Sequence, residues 1–294
     1  MQRATRIPIS GVHSPVYHVN DTSSTLDLAA ALLADTTTAT PHLTTIIADR
    51  QSAGRGRLGR TWTTPDGQAL LASTIVSLPT SFPTEMLGWL VHACALSVRD
   101  ALSLRLSSLG HTVSLKWPND VLVDGTRKIC GILAQLAPAS SPFTTSAILG
   151  YGINIAQDCD HLATPQATSL YVEGDTEAGA DPTSVSHTLL AQILTGLDSR
   201  IRGLVTHGNA RDCGLADEAA NALPLLGTRI ALAKPTDPNG HPAMEGVALG
   251  LSPTGSLLVA TDDGRTHDIS AGDVLATGIP LTTVHDTKEK RANN

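Results

Sequence analysis

The chain has 294 residues, of which 41% are hydrophobic and 16% charged, and its formal net charge is −7. This length accommodates one large domain with a small one, or two domains of middling size. The acidic balance argues against a broad footprint on nucleic acid, and no apolar run is long enough to span a membrane. The first residues lack the apolar stretch of a signal peptide, so the cytoplasm is the expected compartment.

The four cysteines and eleven histidines do not form a metal-binding pattern. The cysteines are widely spaced and include no Cys-x-x-Cys pair, which is typical of free buried thiols. The histidines are scattered, without a His-x-x-x-His pair. We therefore predict no metal site made of protein ligands alone.

The first 155 residues show helix and strand patterns in alternation. Residues 1–15 are expected to be an extended lead-in. Helical spacing of apolar residues predicts a helix from Ser24 to Asp35, with Ser23, Ser24 and Thr25 interpreted on spacing alone as caps. A second helix is predicted at 84–106. Apolar and β-branched runs predict strands at 43–48, 69–76, 113–117, 121–123, 128–136 and 147–155.

Turn signals separate these elements. Gly110 is predicted to end the second helix, and Asp124-Gly125 to form a hairpin turn. Residues 138–142 are predicted to be a loop, and the stretch 156–183 to be rich in loops.

The pattern changes after a long amphipathic helix predicted around 185–201. Short apolar runs then follow one another with Gly, Pro, Asp and Asn between them and no helix. Such closely spaced strands predict a small β-barrel or sandwich. The runs lie at 229–233, 244–251, 257–260, 267–269 and 274–277.

Residues 49–62 concentrate positive charge in this acidic chain. Glycines let backbone amides approach a ligand, and arginines suit phosphate and carboxylate oxygens, so we interpret the stretch as an anion-binding loop. It matches the dinucleotide pattern Gly-x-Gly-x-x-Gly, but the turn residues Arg60–Gly67 follow where that motif requires a helix. The residues of this arginine loop that carry the pattern are Arg50, Gly54, Arg55, Gly56, Arg57, Gly59 and Arg60.

Two further motifs are ambiguous when each is taken alone. Lys116-Trp-Pro-Asn-Asp120 places a lysine at a strand end, where it can neutralise a carboxylate or a phosphate, but it also fits a surface turn. Gly150-Tyr-Gly-Ile-Asn154 lets a ligand pack on bare backbone, but it also fits a β-bulge.

The order of the motifs resolves this ambiguity. Ser-Ser-Thr, the arginine loop, Lys-Trp-Pro-Asn-Asp, Gly-Ile-Leu and Gly-x-Gly-Ile-Asn precede a β-rich module, and in this order residues 16–278 resemble a biotin protein ligase. The resemblance implies an α+β fold with a mixed, mainly antiparallel sheet. It implies a catalytic domain at 1–215, an SH3-like β-domain at 222–281 and a disordered tail at 282–294. The implied enzyme is a biotin–[acetyl-CoA-carboxylase] ligase.

By resemblance, the reaction forms biotinyl-5′-AMP from biotin and ATP with Mg²⁺ and then transfers biotin to a lysine of a carboxyl carrier protein or domain. Catalysis is implied for Lys116, Arg55 and Arg57. The implied biotin-binding residues are Ser24, Thr25, Leu26, Gln51, Arg55, Gly56, Arg57, Lys116, Gly150 and Gly152. The implied ATP or adenylate contacts are Arg57, Arg60, Trp62, Lys116, Asn119 and Asn154.

The chain departs from the family pattern at two positions. Leu26 stands where the family often has Asn, and Leu58 where some relatives carry another arginine. Only 22 residues precede Ser23, too few for a DNA-binding helix-turn-helix, so no nucleic-acid partner is expected. A homodimer is compatible with the resemblance.

Three other functions fit part of the pattern less well than a biotin protein ligase does. A lipoate or octanoate ligase shares the core and the acyl-transfer chemistry, but the arginine loop and the β-module favour biotin. A non-catalytic or DNA-binding biotin sensor is disfavoured by Lys116, Arg55 and Arg57. A dinucleotide-dependent dehydrogenase is disfavoured by the turn after Gly59.

Overall fold

A computed structural model of the chain describes residues 4–35, 37–141, 144–233 and 242–279. It contains two compact units. The first holds the residues up to Pro224 together with Pro253–Gly255, and the second begins at Leu225. The division after Pro224 lies beyond the predicted end of the catalytic domain at 215 and near the predicted start of the β-domain at 222, and both limits stay predictions. The tail at 282–294 lies outside the described residues.

The first unit is built on an eight-stranded sheet in the order β1-β2-β3-β4-β8-β7-β6-β5. Only β2 and β3 pair in parallel among these strands, and every other neighbouring pair is antiparallel. The predicted mixed, mainly antiparallel sheet is confirmed. The strands are β1 Thr5–Ile7, β2 Val16–Thr22, β3 Thr45–Gln51, β4 Ala69–Pro79, β5 Val113–Lys116, β6 Asp120–Val123, β7 Arg127–Ser141 and β8 Thr144–Asn154.

Helices cover both faces of this sheet. α1 packs on one face, where Leu26 and Leu33 join Ile46, Ile75 and Ile148 in one buried cluster. α2 packs on the other, where it contacts β6 and β7 and where Cys94 and Cys130 are both fully buried. No helix in the described part of the chain is long and apolar enough to cross a bilayer. The helices are α1 Thr25–Ala34, α2 Gly88–Leu106, α3 Thr176–Ala180, α4 Pro182–His207 and α5 Leu215–Ala222.

Both turn predictions are confirmed. Gly110 has a φ of 87° directly after the 3₁₀ turn Ser107–Leu109, which ends α2. Asp124 and Gly125 have φ values of 47° and 71°, the positive pair that a tight hairpin between β6 and β7 requires.

The structure differs from the predictions in several places. β7 continues to Ser141, so the loop predicted at 138–142 is wrong for 138–141, while Pro142 lies outside the described residues. The pairing of β7 with β8 shifts register after Ala137, and such an irregularity tolerates a proline. Strand β2 and helices α3 and α5 were not predicted, because each is short and polar residues interrupt its apolar pattern.

The second unit contains a five-stranded antiparallel sheet in the order β12-β11-β10-β9-β13. All five predicted strands are present, which confirms a β-rich C-terminal module. Closure into an SH3-like barrel stays a prediction. The strands are β9 Arg229–Ala233, β10 Pro242–Leu251, β11 Leu257–Ala260, β12 Thr266–Ile269 and β13 Asp273–Ile279.

The packing under α1 makes a testable prediction for stability. Ile148 on β8 is fully buried, so Ile148→Ala should lower the free energy of unfolding by about 2–5 kcal/mol in urea denaturation. Leu136 on the neighbouring strand is 59% exposed, and Leu136→Ala should change it by less than about 0.5 kcal/mol. Equal losses in the two variants would contradict this assignment of the core.

Candidate functional site

One row of directly paired residues crosses the first sheet and defines the site. Residues opposite each other in antiparallel strands point to the same face, so the whole row faces the side covered by α1. The row brings together residues from three of the predicted motifs: Lys-Trp-Pro-Asn-Asp, Gly-Ile-Leu and Gly-x-Gly-Ile-Asn. It runs through Ala48, Leu71, Gly152, Gly131, Asp120 and Lys116.

Three glycines on this face let side chains lie directly on the backbone. A Cβ at Gly152 would stand 2.6 Å from Trp62 Cε2, and one at Gly131 would stand 3.1 Å from Trp62 Cζ3. A Cβ at Gly150 would stand 2.9 Å from Leu26 Cγ. Side chains of the chain itself therefore approach the glycine backbone closely, and the packing of a ligand there stays a prediction. The alternative of a β-bulge is wrong, because β8 pairs without a register shift at these glycines.

The arginine loop folds back on itself as a short hairpin over this floor. Trp62 N–H donates to Gly54 O at 2.9 Å, and Gly56 N–H donates to Arg60 O at 2.7 Å. A 3₁₀ turn at Arg57–Gly59 closes the tip, where Leu58 has a φ of 58°. No helix follows, so the dinucleotide interpretation fails on structure as well as on sequence.

Two arginines connect the loop to its surroundings. Arg55 Nη2 lies 2.6 Å from Asp27 Oδ1 on the first turn of α1. Arg57 Nη1 donates to Asn119 Oδ1 at 3.3 Å, and Asn119 Nδ2 in turn donates to Ile132 O at 2.7 Å on β7. The Lys-Trp-Pro-Asn-Asp motif and the arginine loop therefore meet. Arg60 lies exposed on the returning arm.

The start of α1 supplies a polar cluster on the same face. Thr25 donates to Gln51 Oε1 through its N–H at 2.7 Å and through Oγ1 at 3.1 Å, and Ser73 Oγ donates to Thr25 Oγ1 at 2.8 Å. Ser24 is the N-cap residue, but its side chain makes no capping bond, so the capping interpretation is wrong for Ser24. Its Oγ is buried without a hydrogen-bond partner among the described residues.

A second lysine, which the sequence analysis missed, lies at the centre of the site. Lys128 Nζ lies 2.7 Å from Asp120 Oδ1 and 5.7 Å from the ring centroid of Trp62. A Cβ at Gly131 would stand 3.4 Å from the same Nζ. Lys116 is exposed at the outer end of the row. The sequence feature that could have identified Lys128 is its position three residues before Gly131, the glycine of Gly-Ile-Leu.

Trp62 and Asn154 differ in how their polar atoms are used. Trp62 Nε1 is buried without a partner among the described residues, like the hydroxyl of Ser24. Asn154 is buried, and its Nδ2 donates to Thr168 O at 2.8 Å while its Oδ1 accepts from Gln157 Nε2 at 3.0 Å. Asn154 therefore joins β8 to the following loop, and its predicted contact with a nucleotide stays a prediction.

Two cysteines, Cys94 and Cys130, lie on the opposite face of the sheet. Burial raises the pKa of the Cys130 thiol well above its ordinary value, and the neighbouring Cys94 adds to this effect. Burial likewise raises the pKa of Cys94 to about 12. Both thiols are protonated at neutral pH and are therefore unreactive.

The contact between Gly152 and Trp62 can be tested by fluorescence. Gly152→Ala should displace the indole, because a Cβ there would stand 2.6 Å from the ring. Acrylamide quenching should increase, since Trp89 and Trp117 are only 1% and 2% exposed and Trp62 alone is positioned to respond. Gly250→Ala is the control, because its Cβ would meet nothing within 4 Å. Unchanged quenching in Gly152→Ala would contradict the contact.

Comparisons with known proteins identify relatives of this chain. The model of the biotin/lipoate A/B protein ligase family matches residues 20–154, and that of the biotin protein ligase C-terminal domain matches residues 236–275. The chain is 34% identical to a biotin--[acetyl-CoA-carboxylase] ligase of Mycobacterium tuberculosis over 78% of this chain and 77% of the relative. It is 31% identical to one of Paracoccus denitrificans over 79% of this chain and 90% of the relative.

The fold also matches a solved structure, the biotin protein ligase of Aquifex aeolicus in complex with biotin and ATP. The TM-score is 0.61 at 25% identity, over 90% of this chain and 99% of the other.

Proposed function

The chain belongs to the biotin protein ligase family, and we propose how the site above the three glycines carries out the ATP-dependent joining of biotin to protein. The biotin carboxylate attacks the α-phosphate of ATP, which forms biotinyl-5′-AMP and releases pyrophosphate. The amine of a lysine on a carboxyl carrier protein or domain then attacks the mixed anhydride, forms an amide and releases AMP. Neither step needs a nucleophile from the enzyme.

One shared face of the sheet carries this proposal. Lys116 lies at one end of the row that contains the glycine floor, and Lys128 and the arginine loop border this row. Bringing a carboxylate to a phosphate places two anions together, and fixed cations lower that repulsion. We assign Lys116 and Lys128 to the carboxylate and the α-phosphate, together with Arg55 and Arg57.

The ring system of biotin fits the polar cluster at the start of α1. A ureido group needs both hydrogen-bond donors and acceptors. Buried Ser24 and Thr25 and half-buried Gln51 offer both. The unpartnered Oγ of Ser24 supports a ligand contact there, because buried hydroxyls are normally bonded. Leu26 contributes an apolar wall, since its side chain packs on Gly150.

Substrate entry requires the loop to move. Trp62 covers Gly131 and Gly152 in this structure, where we place the reacting groups. The hairpin is exposed at Arg60 and its tip, and such segments open at low cost. On closure, Gly56 and Arg57 would wrap the adenylate, Arg60 would order the loop and Trp62 would pack against the ligand, excluding water from the anhydride.

ATP would bind beyond the lysines, toward Asn119 and the end of β8 at Asn154. Mg²⁺ arrives with the ATP phosphates as part of the substrate, where it neutralises the leaving pyrophosphate. The acceptor is a carboxyl carrier protein or domain, and we place the reaction in the cytoplasm.

Exchange of labelled pyrophosphate into ATP tests the substrate. Biotin should support exchange, whereas lipoate and octanoate should not, because the polar cluster at Ser24, Thr25 and Gln51 matches a ureido ring better than an aliphatic chain. Measured side by side, exchange with lipoate or octanoate but not with biotin would overturn the assignment.

The two lysines can be tested by the same assay. Lys116→Ala and Lys128→Ala should each lower biotin-dependent exchange by about 10²–10³-fold, the usual loss for one group that stabilises developing charge. Thermal unfolding should change little in Lys116→Ala, because Lys116 is exposed. Arg202→Ala is the charge control, since Arg202 is 76% exposed on α4 and distant in sequence from every site motif. Exchange at the wild-type rate in either lysine variant would remove that lysine from the mechanism.

A further inference from the structure

Glu173, a buried carboxylate, lies in the segment between β8 and α3. Its side chain is 4% exposed. Glu173 accepts from Arg127 Nε at 2.6 Å and Arg127 Nη2 at 2.8 Å, and also from Thr168 Oγ1 at 2.5 Å. Burial acts to raise the pKa of Glu173, but the hydrogen bonds from Arg127 and Thr168 outweigh it and hold the pKa below its ordinary value. Glu173 is therefore charged at neutral pH.

The segment that Glu173 holds also fixes the backbone of Lys128. Lys128 N–H donates to Gln166 O at 2.7 Å, and Thr168 N–H donates to Lys128 O at 2.8 Å. Arg127 is the residue directly before Lys128 in β7. Glu173 thus reaches Lys128 from both sides, through Arg127 along the chain and through Thr168 across the pairing.

The same threonine connects this network to β8, which carries the glycine floor. Thr168 O accepts from Asn154 Nδ2 at 2.8 Å. The start of β7 at Lys128 and the end of β8 at Asn154 are therefore both hydrogen-bonded to one short segment, residues 166–168.

A metal centre is a weaker explanation for the charged groups around Glu173. The donor atoms of His111, Asp124 and Glu173 lie within 4.8 Å of one another. However, the Arg127 guanidinium already binds both carboxylates, with Nη2 2.7 Å from Asp124 Oδ2 and Nε 2.6 Å from Glu173 Oε1. A cation bound there would have to displace this fixed positive charge.

We propose that Glu173 is a positioning residue that fixes Lys128 over the glycine floor, acting through Thr168 and Arg127. This inference rests on the proposed role of Lys128. A misplacement of about 1 Å at a reacting group lowers a rate by as much as 10²-fold, so the placement of one ammonium group matters.

Glu173→Gln tests the proposal, because it keeps the size of the side chain and removes its charge. Biotin-dependent pyrophosphate exchange should fall about tenfold in kcat, since Lys128 is still present but less well placed. Asp175→Asn is a matched control in the same segment. Asp175 is also buried and accepts from Arg105 at 2.6 Å, but it has no hydrogen bond to the residues that hold Lys128. Its exchange rate should stay within about twofold of wild type even if its melting temperature falls.

A double variant separates positioning from stability. In a Lys128→Ala background, Glu173→Gln should cause no further loss of exchange, because groups that act through one another are not additive. Should Glu173→Gln not fold, Thr168→Val removes one of the two links from Glu173 and should give a loss of exchange that is likewise absent in Lys128→Ala.

The outcomes distinguish this inference from the proposed function. If Lys128→Ala keeps wild-type exchange, the role of Lys128 fails and the inference fails with it. If Lys128→Ala loses exchange but Glu173→Gln does not, only the positioning role is overturned. Equal losses in Glu173→Gln and Asp175→Asn, or full additivity with Lys128→Ala, also overturn it.

Discussion

The indole of Trp62 rests on the backbone of β7 and β8, because Gly131 and Gly152 carry no side chain at that point. The remaining features of the site depend on this bare patch. The arginine loop can lie flat on the sheet only where side chains are missing, and Lys128 can reach over Trp62 only because Gly131 leaves room beside it. A sheet with ordinary side chains at these positions would hold the loop and its cations away from any substrate on the floor.

The two faces of the sheet have different chemistry. The face toward α1 combines hydroxyls, amides and cations, whereas the face toward α2 contains thiols that burial keeps protonated. In the proposed mechanism the groups on the first face act by charge and hydrogen bonding. Such a site suits a ligase that joins two substrates through an anhydride carried by the ligand itself.

Local patterns in the sequence predicted most of the elements, because runs such as Ala69–Pro79 show a continuous apolar signal. β2 was missed since His18, Asn20 and Asp21 interrupt its apolar residues, and the packing that makes it a strand comes from distant neighbours. The site motifs were also predicted, but not their arrangement. Strand register decides which residues share a face of the sheet. The position of Lys128 beside Asp120 and Trp62 therefore could not be predicted from the sequence. The Leu58 backbone conformation likewise required the structure.

The parallel pairing of β2 with β3 has a consequence for how the protein folds. Thr22 pairs with Gln51, so both strands end at the same edge, one leading into α1 and the other into the arginine loop. The two parts of the polar cluster, Ser24 and Thr25 at the start of α1 and Gln51 at the end of β3, are therefore joined by a non-local crossover that includes a whole helix. Contacts of this kind form late and slowly. A slip of one residue in this pairing would reverse the faces of every side chain in β3. Chains trapped in that register would retain much of their secondary structure and yet lack the polar cluster of Ser24, Thr25 and Gln51.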